Sequence, residues 1–161
     1  MENAAEASNE GNEAEFRFGI RAGTPEDMDF IADSWRRSYD DSPWTRCPGG
    51  LKEYIATQSQ VIQQCLRTSK VLVAYPQAPE NVPSQIMGWL CHRGPVLHYV
   101  YVKAPFRRHG IGSELLTKAI MWDPAAATLF STHAPPLYLR GGWFGKLRVS
   151  YNPALIFGGT E

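Results

Sequence analysis

The chain has 161 residues, equal numbers of basic and acidic side chains, and an ordinary apolar share of 43%. This length predicts one domain whose core needs neither disulfide nor metal, and no apolar run approaches the roughly 18 residues that cross a membrane. We therefore expect a cytoplasmic protein with no secretory signal and no membrane contact. Its three well-separated cysteines predict neither a disulfide framework nor a metal site.

Residues 1–15 form a separate region by composition. They carry five glutamates, no Lys or Arg, and no large apolar side chain after the initial Met, so they cannot offset the entropy of ordering. We predict a disordered acidic tail here, followed by a single domain over residues 16–161. That domain holds 16 basic against 11 acidic side chains, an excess that suits an anionic ligand but is too small to predict nucleic-acid binding.

The first part of the domain is predicted to mix strands and helices. Alternating apolar residues over 16–20 predict a half-buried strand. Thr24, followed by proline and two acids, predicts the start of a helix. Apolar residues at helical spacing predict a second helix over 51–68, and a run rich in valine predicts a strand over 70–76.

A hairpin is predicted next, with strands over 86–92 and 96–102 joined across 93–95. Side chains alternate between the two faces of a strand, and both faces of the second strand are apolar. We therefore expect a central strand covered by helices on both sides. One face would carry Val96, His98, Val100 and Val102, and the other Leu97, Tyr99 and Tyr101.

The residues after this hairpin, RRHGIG at 107–112, are basic and rich in glycine. A helix is predicted to follow over 112–122, so its free amide groups and its dipole would face the turn. Glycines at 110 and 112 let the backbone approach a diphosphate closely, and two arginines supply permanent positive charge. The turn therefore predicts a phosphate site, with a plain helix start and solvated arginines as the alternative.

The stretch VKAPFRRHGIGSELL, residues 102–116, resembles the acyl-CoA signature of the GNAT superfamily of N-acetyltransferases, [QR]xxGx[GA] between a central strand and a helix. The resemblance implies a single-domain α/β fold, with a central, mixed, mostly antiparallel sheet, helices on both faces, and a splayed central strand pair that binds acyl-CoA. It also implies acetyl-CoA as acyl donor, and no metal. The implied cofactor-binding residues are Val102, through its backbone, and Arg107, Arg108, His109, Gly110, Ile111, Gly112 and Ser113.

The last part of the chain combines short predicted strands, over 127–132, 144–151 and 154–157, with a second match. STHAPPLYLRGGWF, residues 131–144, is similar to the family stretch NxxAxxLYxxxGF. This implies that Tyr138 is the general acid for the departing CoA thiolate, whose basicity a phenol matches. Ser131 replaces the usual Asn, and Pro135-Pro136 interrupts what is normally a helix. The alternative is that Tyr138 only packs in a proline-rich turn.

The group that accepts the proton of the amine is the least defined. Many relatives use a Glu directly or through water, but strand 96–102 carries no carboxylate. His98 stands four residues before Val102, where several family members place a Glu, and an imidazole is a suitable base at neutral pH. The alternative is a hydrogen-bonded core histidine. The weaker candidates for the base are His92, His109 and His133.

We therefore predict an acetyl-CoA-dependent N-acyltransferase that moves an acetyl group to a primary amine by direct attack of the amine on the thioester. The alternative is a catalytically weak or inactive CoA-binding protein on the same fold. The expected partners are acetyl-CoA and an amine, with no nucleic acid, and the expected state is a monomer or homodimer. The sequence leaves the identity of the amine open.

Overall fold

The computed structural model describes residues 17–38, 50–77, 85–123, 130–133 and 149–156. The predicted tail over 1–15 lies outside these residues, so the tail and the bounds of the domain stay predictions. The described elements, in chain order, are β1 (Phe18–Ala22), α1 (Met28–Arg37), α2 (Gly50–Thr68), β2 (Lys70–Pro76), β3 (Gly88–Arg93), β4 (Val96–Val102), α3 (Ile111–Trp122), β5 (Phe130–Ser131) and β6 (Ser150–Tyr151).

The strands form one sheet in the order β1-β2-β3-β4-β5-β6. The first four strands pair with one another in antiparallel fashion. In contrast, β5 runs parallel to β4, and β6 runs parallel to β5. The predicted central, mixed, mostly antiparallel sheet is thus confirmed. Gly94, at φ 51°, opens the turn between β3 and β4, because a tight hairpin needs a residue that tolerates the left-handed region.

Helices cover both faces of the sheet, as predicted. The side chains of β2 alternate between two cores: Leu72 and Ala74 pack with α3, whereas Val71 and Val73 pack with α1 and α2. Burial on both faces explains why this strand reads as a nearly continuous apolar run.

The start of α1 is fixed to β1 by polar contacts. Thr24 donates from its amide to Asp27 Oδ2 at 2.7 Å, and Arg21 of β1 donates to both carboxylate oxygens at 2.6 and 2.9 Å. The hydrogen-bonded Arg21 guanidinium lowers the pKa of Asp27. The predicted helix start at Thr24 is confirmed, with a short 3-10 turn at Pro25–Asp27 before the α-helix itself.

The prediction that β4 alternates regularly is wrong at one position. Cys91 of β3 opposes Tyr99, but the next residue of β3, His92, opposes Leu97, so His98 is an additional residue on β4. Such a β-bulge shifts the alternation by one position. Leu97 consequently lies in the core on the α3 side, instead of on the face that carries Tyr99.

The predicted strand over 154–157 is also wrong, because Pro153–Ile156 forms a 3-10 turn. Proline fixes φ and has no N–H for a ladder, and Asn152 accepts a hydrogen bond on Oδ1 from the amide of Ala154 at 3.1 Å, as in an Asx turn. The strands predicted over 127–132 and 144–151 are described only in part, as β5 and β6.

The described residues also bear on membranes and metals. No helix among them is both long and apolar enough to cross a bilayer, and no cluster of three or more His, Cys, Asp or Glu side chains within the same ranges could hold a metal ion. Cys65 and Cys91 are free and buried, and burial raises the pKa of both thiols.

Candidate cofactor and active site

The outer edge of β4 is the first component of the site. β4 pairs with β3 along its length, but its pairing with β5 consists of Val96–Phe130 and Leu97–Ser131. Over residues 98–102 no strand lies on this edge in the part of the chain that the structure describes. Backbone groups on an open strand edge can pair with an extended ligand as they would with another strand.

Val102 directs its backbone groups towards this open edge. Gly88 opposes Val102 across the β3–β4 ladder, and the next amide, that of Lys103, donates to the carbonyl oxygen of Met87 at 2.9 Å. In an antiparallel ladder this bond makes Gly88–Val102 a non-hydrogen-bonded pair, whose peptide groups point away from each other. The N–H and C=O of Val102 therefore face away from β3.

The turn after β4 leads directly into α3. Arg108 and Gly110 both adopt left-handed conformations, with φ of 68° and 79°, and Gly110 is the N-cap of the helix. The first helical hydrogen bond runs from the amide of Glu114 to the carbonyl oxygen of Gly110 at 3.0 Å. Amides in the first turn of a helix have no intrahelical acceptor. Here, those with no acceptor among the described residues are Ile111, Gly112 and Ser113.

The turn suits a polyanion. Arg107 and Arg108 are both exposed and outnumber the one acidic side chain of the first helical turn, Glu114, and the helix dipole adds partial positive charge. A Cβ placed on Gly110 would meet no atom of the described residues within 4 Å, so none of these residues fills the space beside the N-cap. Free amides together with guanidinium groups form the donor set that binds phosphate oxygens.

Two side chains of the turn bond back to the backbone. Arg107 donates from Nε to the carbonyl oxygen of Val102 at 3.0 Å. His109 donates from Nδ1 to the carbonyl oxygen of Arg107 at 2.9 Å. The first of these bonds ties the turn to the outward-facing carbonyl at the end of β4.

The bulge at His98 lies where β4 and β5 stop pairing. The His98 side chain is buried, and its Nδ1 lies 3.4 Å from Oγ1 of Thr132. The same hydroxyl lies 3.1 Å from Nδ1 of His133, whose ring stands edge-on to Tyr99 at 5.4 Å between centroids. Thr132 thus connects two imidazoles. Nε2 of His98 is buried without a hydrogen-bond partner among the described residues.

Both imidazoles are weak bases in this environment. Burial lowers the pKa of His98 to about 4, and the positive charge of Arg93 acts in the same direction. Burial likewise lowers the pKa of His133 to about 4. Both rings are therefore neutral at pH 7, because desolvation disfavours the charged form.

This strand, turn and helix agree with a known family. The model of the acetyltransferase (GNAT) family matches residues 31–134, a range that contains β4, the turn and α3. The chain belongs to the GNAT acetyltransferase family. It is therefore an acyltransferase by family, and the resemblance found in the sequence is confirmed.

Solved structures share the GNAT fold with this chain. A protein of Pyrococcus furiosus, provisionally named an acetyl transferase, is 22% identical, with a TM-score of 0.57, over 76% of this chain and 87% of its own. A GNAT family acetyltransferase from Brucella melitensis, in complex with acetyl-CoA, is 14% identical, with a TM-score of 0.51, over 78% of this chain and 81% of its own. At these identities the likeness establishes the fold. A search of curated proteins found no match.

The cofactor-binding residues predicted from the sequence lie in one continuous strand–turn–helix unit. The proposed base, His98, lies on the same strand, at the bulge. Tyr138 lies outside the described residues and beyond the range that the GNAT family model matches, so its role stays a prediction. The roles of the other residues likewise rest on the resemblance and on their placement.

Two residues near the site were absent from the sequence-based predictions. A Cβ on Gly88 would lie 2.7 Å from the carbonyl oxygen of Tyr101, so only glycine permits this approach of β3 to β4. A glycine inside an apolar strand run is a signal for such an approach. Thr132 gave no comparable signal, because its contact with His98 depends on the parallel pairing of β5 with β4.

Proposed function

We propose that this GNAT family protein is an N-acyltransferase that moves the acetyl group of acetyl-CoA to a primary amine, in a single direct attack. The observation that carries the proposal is the open strand edge at Val102 together with the start of α3, where the amides of residues 111–113 have no acceptor among the described residues. These two features suit the two parts of one ligand. The amide-bearing pantetheine arm would pair with the edge, and the diphosphate would bind the turn.

The proposed diphosphate site comprises residues 107–113. The turn carries two exposed arginines, and no described residue fills the space beside Gly110, so arginine side chains and amides could bind phosphate oxygens without a metal. Fixing the cofactor at the turn and along β4 would place the thioester near the bulge at His98. Positioning of this kind is worth several orders of magnitude in rate, because it removes translational and rotational entropy before the reaction.

The proposed chemistry needs one proton acceptor and one proton donor. The amine loses a proton before or during its attack on the thioester carbonyl, the C–S bond breaks, and the CoA thiolate takes up a proton. We propose Tyr138 as the donor to the thiolate, on the strength of the family stretch that it matches. We propose His98 as the acceptor, since it is neutral at pH 7 and lies where β4 and β5 part. Its lowered pKa makes it a weak acceptor.

A thiol-release assay tests this function. Purified protein, acetyl-CoA and a panel of amines of different classes should release free CoA thiol in a saturable manner with at least one amine. Tyr138→Phe should reduce kcat by roughly a hundredfold, the usual scale for general acid catalysis, without weakening acetyl-CoA binding. Tyr151→Phe is the matched control, because Tyr151 is an exposed residue of β6; it should match the wild type.

A second candidate is favoured by one observation. β4 carries no carboxylate, and its histidine is buried with a lowered pKa. A CoA-binding protein of low catalytic activity would have these properties. In that case acetyl-CoA would bind, no amine class would release thiol above the background, and Tyr138→Phe would change nothing.

Location in the cytoplasm and a monomeric or homodimeric state are proposed alongside either function, without nucleic-acid binding.

A further inference from the structure

The outward-facing carbonyl of Val102 already has a partner. Its peptide groups point away from β3 because Gly88–Val102 is a non-hydrogen-bonded pair. On that side, where no described strand lies, the guanidinium of Arg107 donates from Nε to the Val102 oxygen at 3.0 Å. The Arg107 side chain therefore occupies the place in which the N–H of a neighbouring strand, or of a strand-like ligand, would lie.

The position of Arg107 allows its guanidinium to bind either the Val102 carbonyl or a phosphate at the turn. Arg107 follows the short 3-10 turn at Ala104–Phe106 and precedes α3, so along the chain it lies between the end of β4 and the amides that begin α3. It is exposed and can exchange partners without disturbing the core. A guanidinium binds phosphate oxygens more strongly than it binds a neutral carbonyl, because both charge and bidentate geometry favour the phosphate.

We propose that Arg107 couples the binding of the two parts of acyl-CoA. Without ligand, its guanidinium covers the Val102 carbonyl and blocks the edge of β4. When a diphosphate binds at the turn, the guanidinium pairs with it and leaves the carbonyl, which then accepts a hydrogen bond from an amide of the pantetheine arm. This inference rests on the proposed function and adds an order to it: the diphosphate prepares the strand edge for the arm.

Fragments of the cofactor separate the two events. ADP carries a diphosphate without the arm, and S-acetylpantetheine carries the arm without a diphosphate. In the wild type, saturating ADP should tighten the binding of S-acetylpantetheine by roughly fivefold, which is the change in affinity that about one hydrogen bond produces. Arg107→Met removes the competing donor, so it should bind S-acetylpantetheine roughly fivefold more tightly than the wild type without ADP, and ADP should no longer change that affinity.

Arg108→Met is the matched control. It removes the same charge from the same turn, but the structure shows Arg107, and not Arg108, bonded to Val102. Arg108→Met should therefore weaken ADP binding and preserve the effect of ADP on S-acetylpantetheine. The proposal is overturned if Arg107→Met binds S-acetylpantetheine no more tightly than the wild type, or if ADP still tightens the arm in that variant.

A second readout does not depend on the affinity of the arm. The carbonyl ¹³C resonance of Val102 should move when ADP alone is added to the wild type, and it should stay in place in Arg107→Met. An unmoved resonance in the wild type, with ADP bound, also overturns the proposal. If the wild type binds neither ADP nor acetyl-CoA, the proposed function itself fails, which is a different result from intact binding without coupling.

Discussion

Gly88 and Val102 face each other across the β3–β4 ladder, at the strand end that leads into the turn. A Cβ on Gly88 would lie 2.7 Å from the carbonyl oxygen of Tyr101 and 3.3 Å from both Ile111 Cγ2 and the Cα of Val102. Gly88 thus lies against both the end of β4 and the first residue of α3.

The first prediction concerns this approach. Gly88→Ala should destabilise the protein by roughly 1–3 kcal/mol, because backbone must shift to admit the methyl group, and the shift should weaken acetyl-CoA binding. The measurements are chemical denaturation and calorimetric titration. Gly112→Ala is the control for stability, since its Cβ would meet only Val102 Cγ2, at 3.9 Å; a stable Gly88→Ala protein would contradict the role given to Gly88.

The second prediction separates backbone strain from ligand contact. Gly110 and Gly94 both have positive φ, and a Cβ on either would meet no atom within 4 Å in the part of the chain that the structure describes. Alanine at either position should therefore cost about 1 kcal/mol through the left-handed conformation alone. Only Gly110→Ala should also weaken acetyl-CoA binding, because only its methyl group would stand beside the proposed diphosphate. Equal binding losses in the two variants would argue against a diphosphate at the turn.

The third prediction concerns Arg108, a non-glycine residue at φ 68°. Arg108→Ala and Arg108→Gly remove the same charge, but only glycine relieves the left-handed strain. The glycine variant should be the more stable of the two by about 1 kcal/mol in denaturant unfolding. Both should weaken acetyl-CoA binding, and the weakening should shrink as salt is added. If alanine were as stable as glycine, residue 108 would not be strained.

The fourth prediction is a pH dependence of stability. In the unfolded chain an imidazole titrates near pH 6.5, but in the folded protein the pKa of His98 is about 4. Between these values the unfolded state binds a proton that the folded state does not. The contribution of His98 to the free energy of unfolding should therefore be fully present above pH 6.5 and should fall as the pH drops towards 4. His98 alone should contribute a loss on the order of 3 kcal/mol.

His98→Gln should reduce that acid-induced loss, as measured by thermal unfolding at successive pH values. His133 has a similarly lowered pKa, so part of the loss should remain in the single variant. The control is His109→Gln, because His109 is exposed at the turn. An unchanged pH profile in His98→Gln would show that His98 is not held neutral by burial.

The sequence predicted most of the fold because most of its signals are local. Apolar periodicity located α2 and β2, and the Thr24-Pro25 pair located the start of α1. The glycine turn was recognisable for the same reason, since its amides, glycines and arginines are neighbours in the chain. The strand predicted at 154–157 failed because Pro153 and the Asn152 side chain favour a turn.

The parts of the site that were missed depend on contacts between distant segments. The bulge at His98 arises from the register of β4 against β3, which a period-two pattern does not reveal. The Thr132 hydroxyl meets His98 only after β5 has paired with β4 in parallel. The bond from Arg107 to Val102 depends on the 3-10 turn that follows β4.

The central claim is that acetyl-CoA binds along the end of β4 and at the start of α3. A titration of ¹⁵N-labelled protein with acetyl-CoA, followed through the backbone amides, tests it most directly. We expect the largest shifts at Val102 and at residues 107–113, with a saturation curve shared by both groups. No shift at about 1 mM acetyl-CoA, a ceiling for weak specific binding, or shifts confined to other parts of the chain, would contradict it.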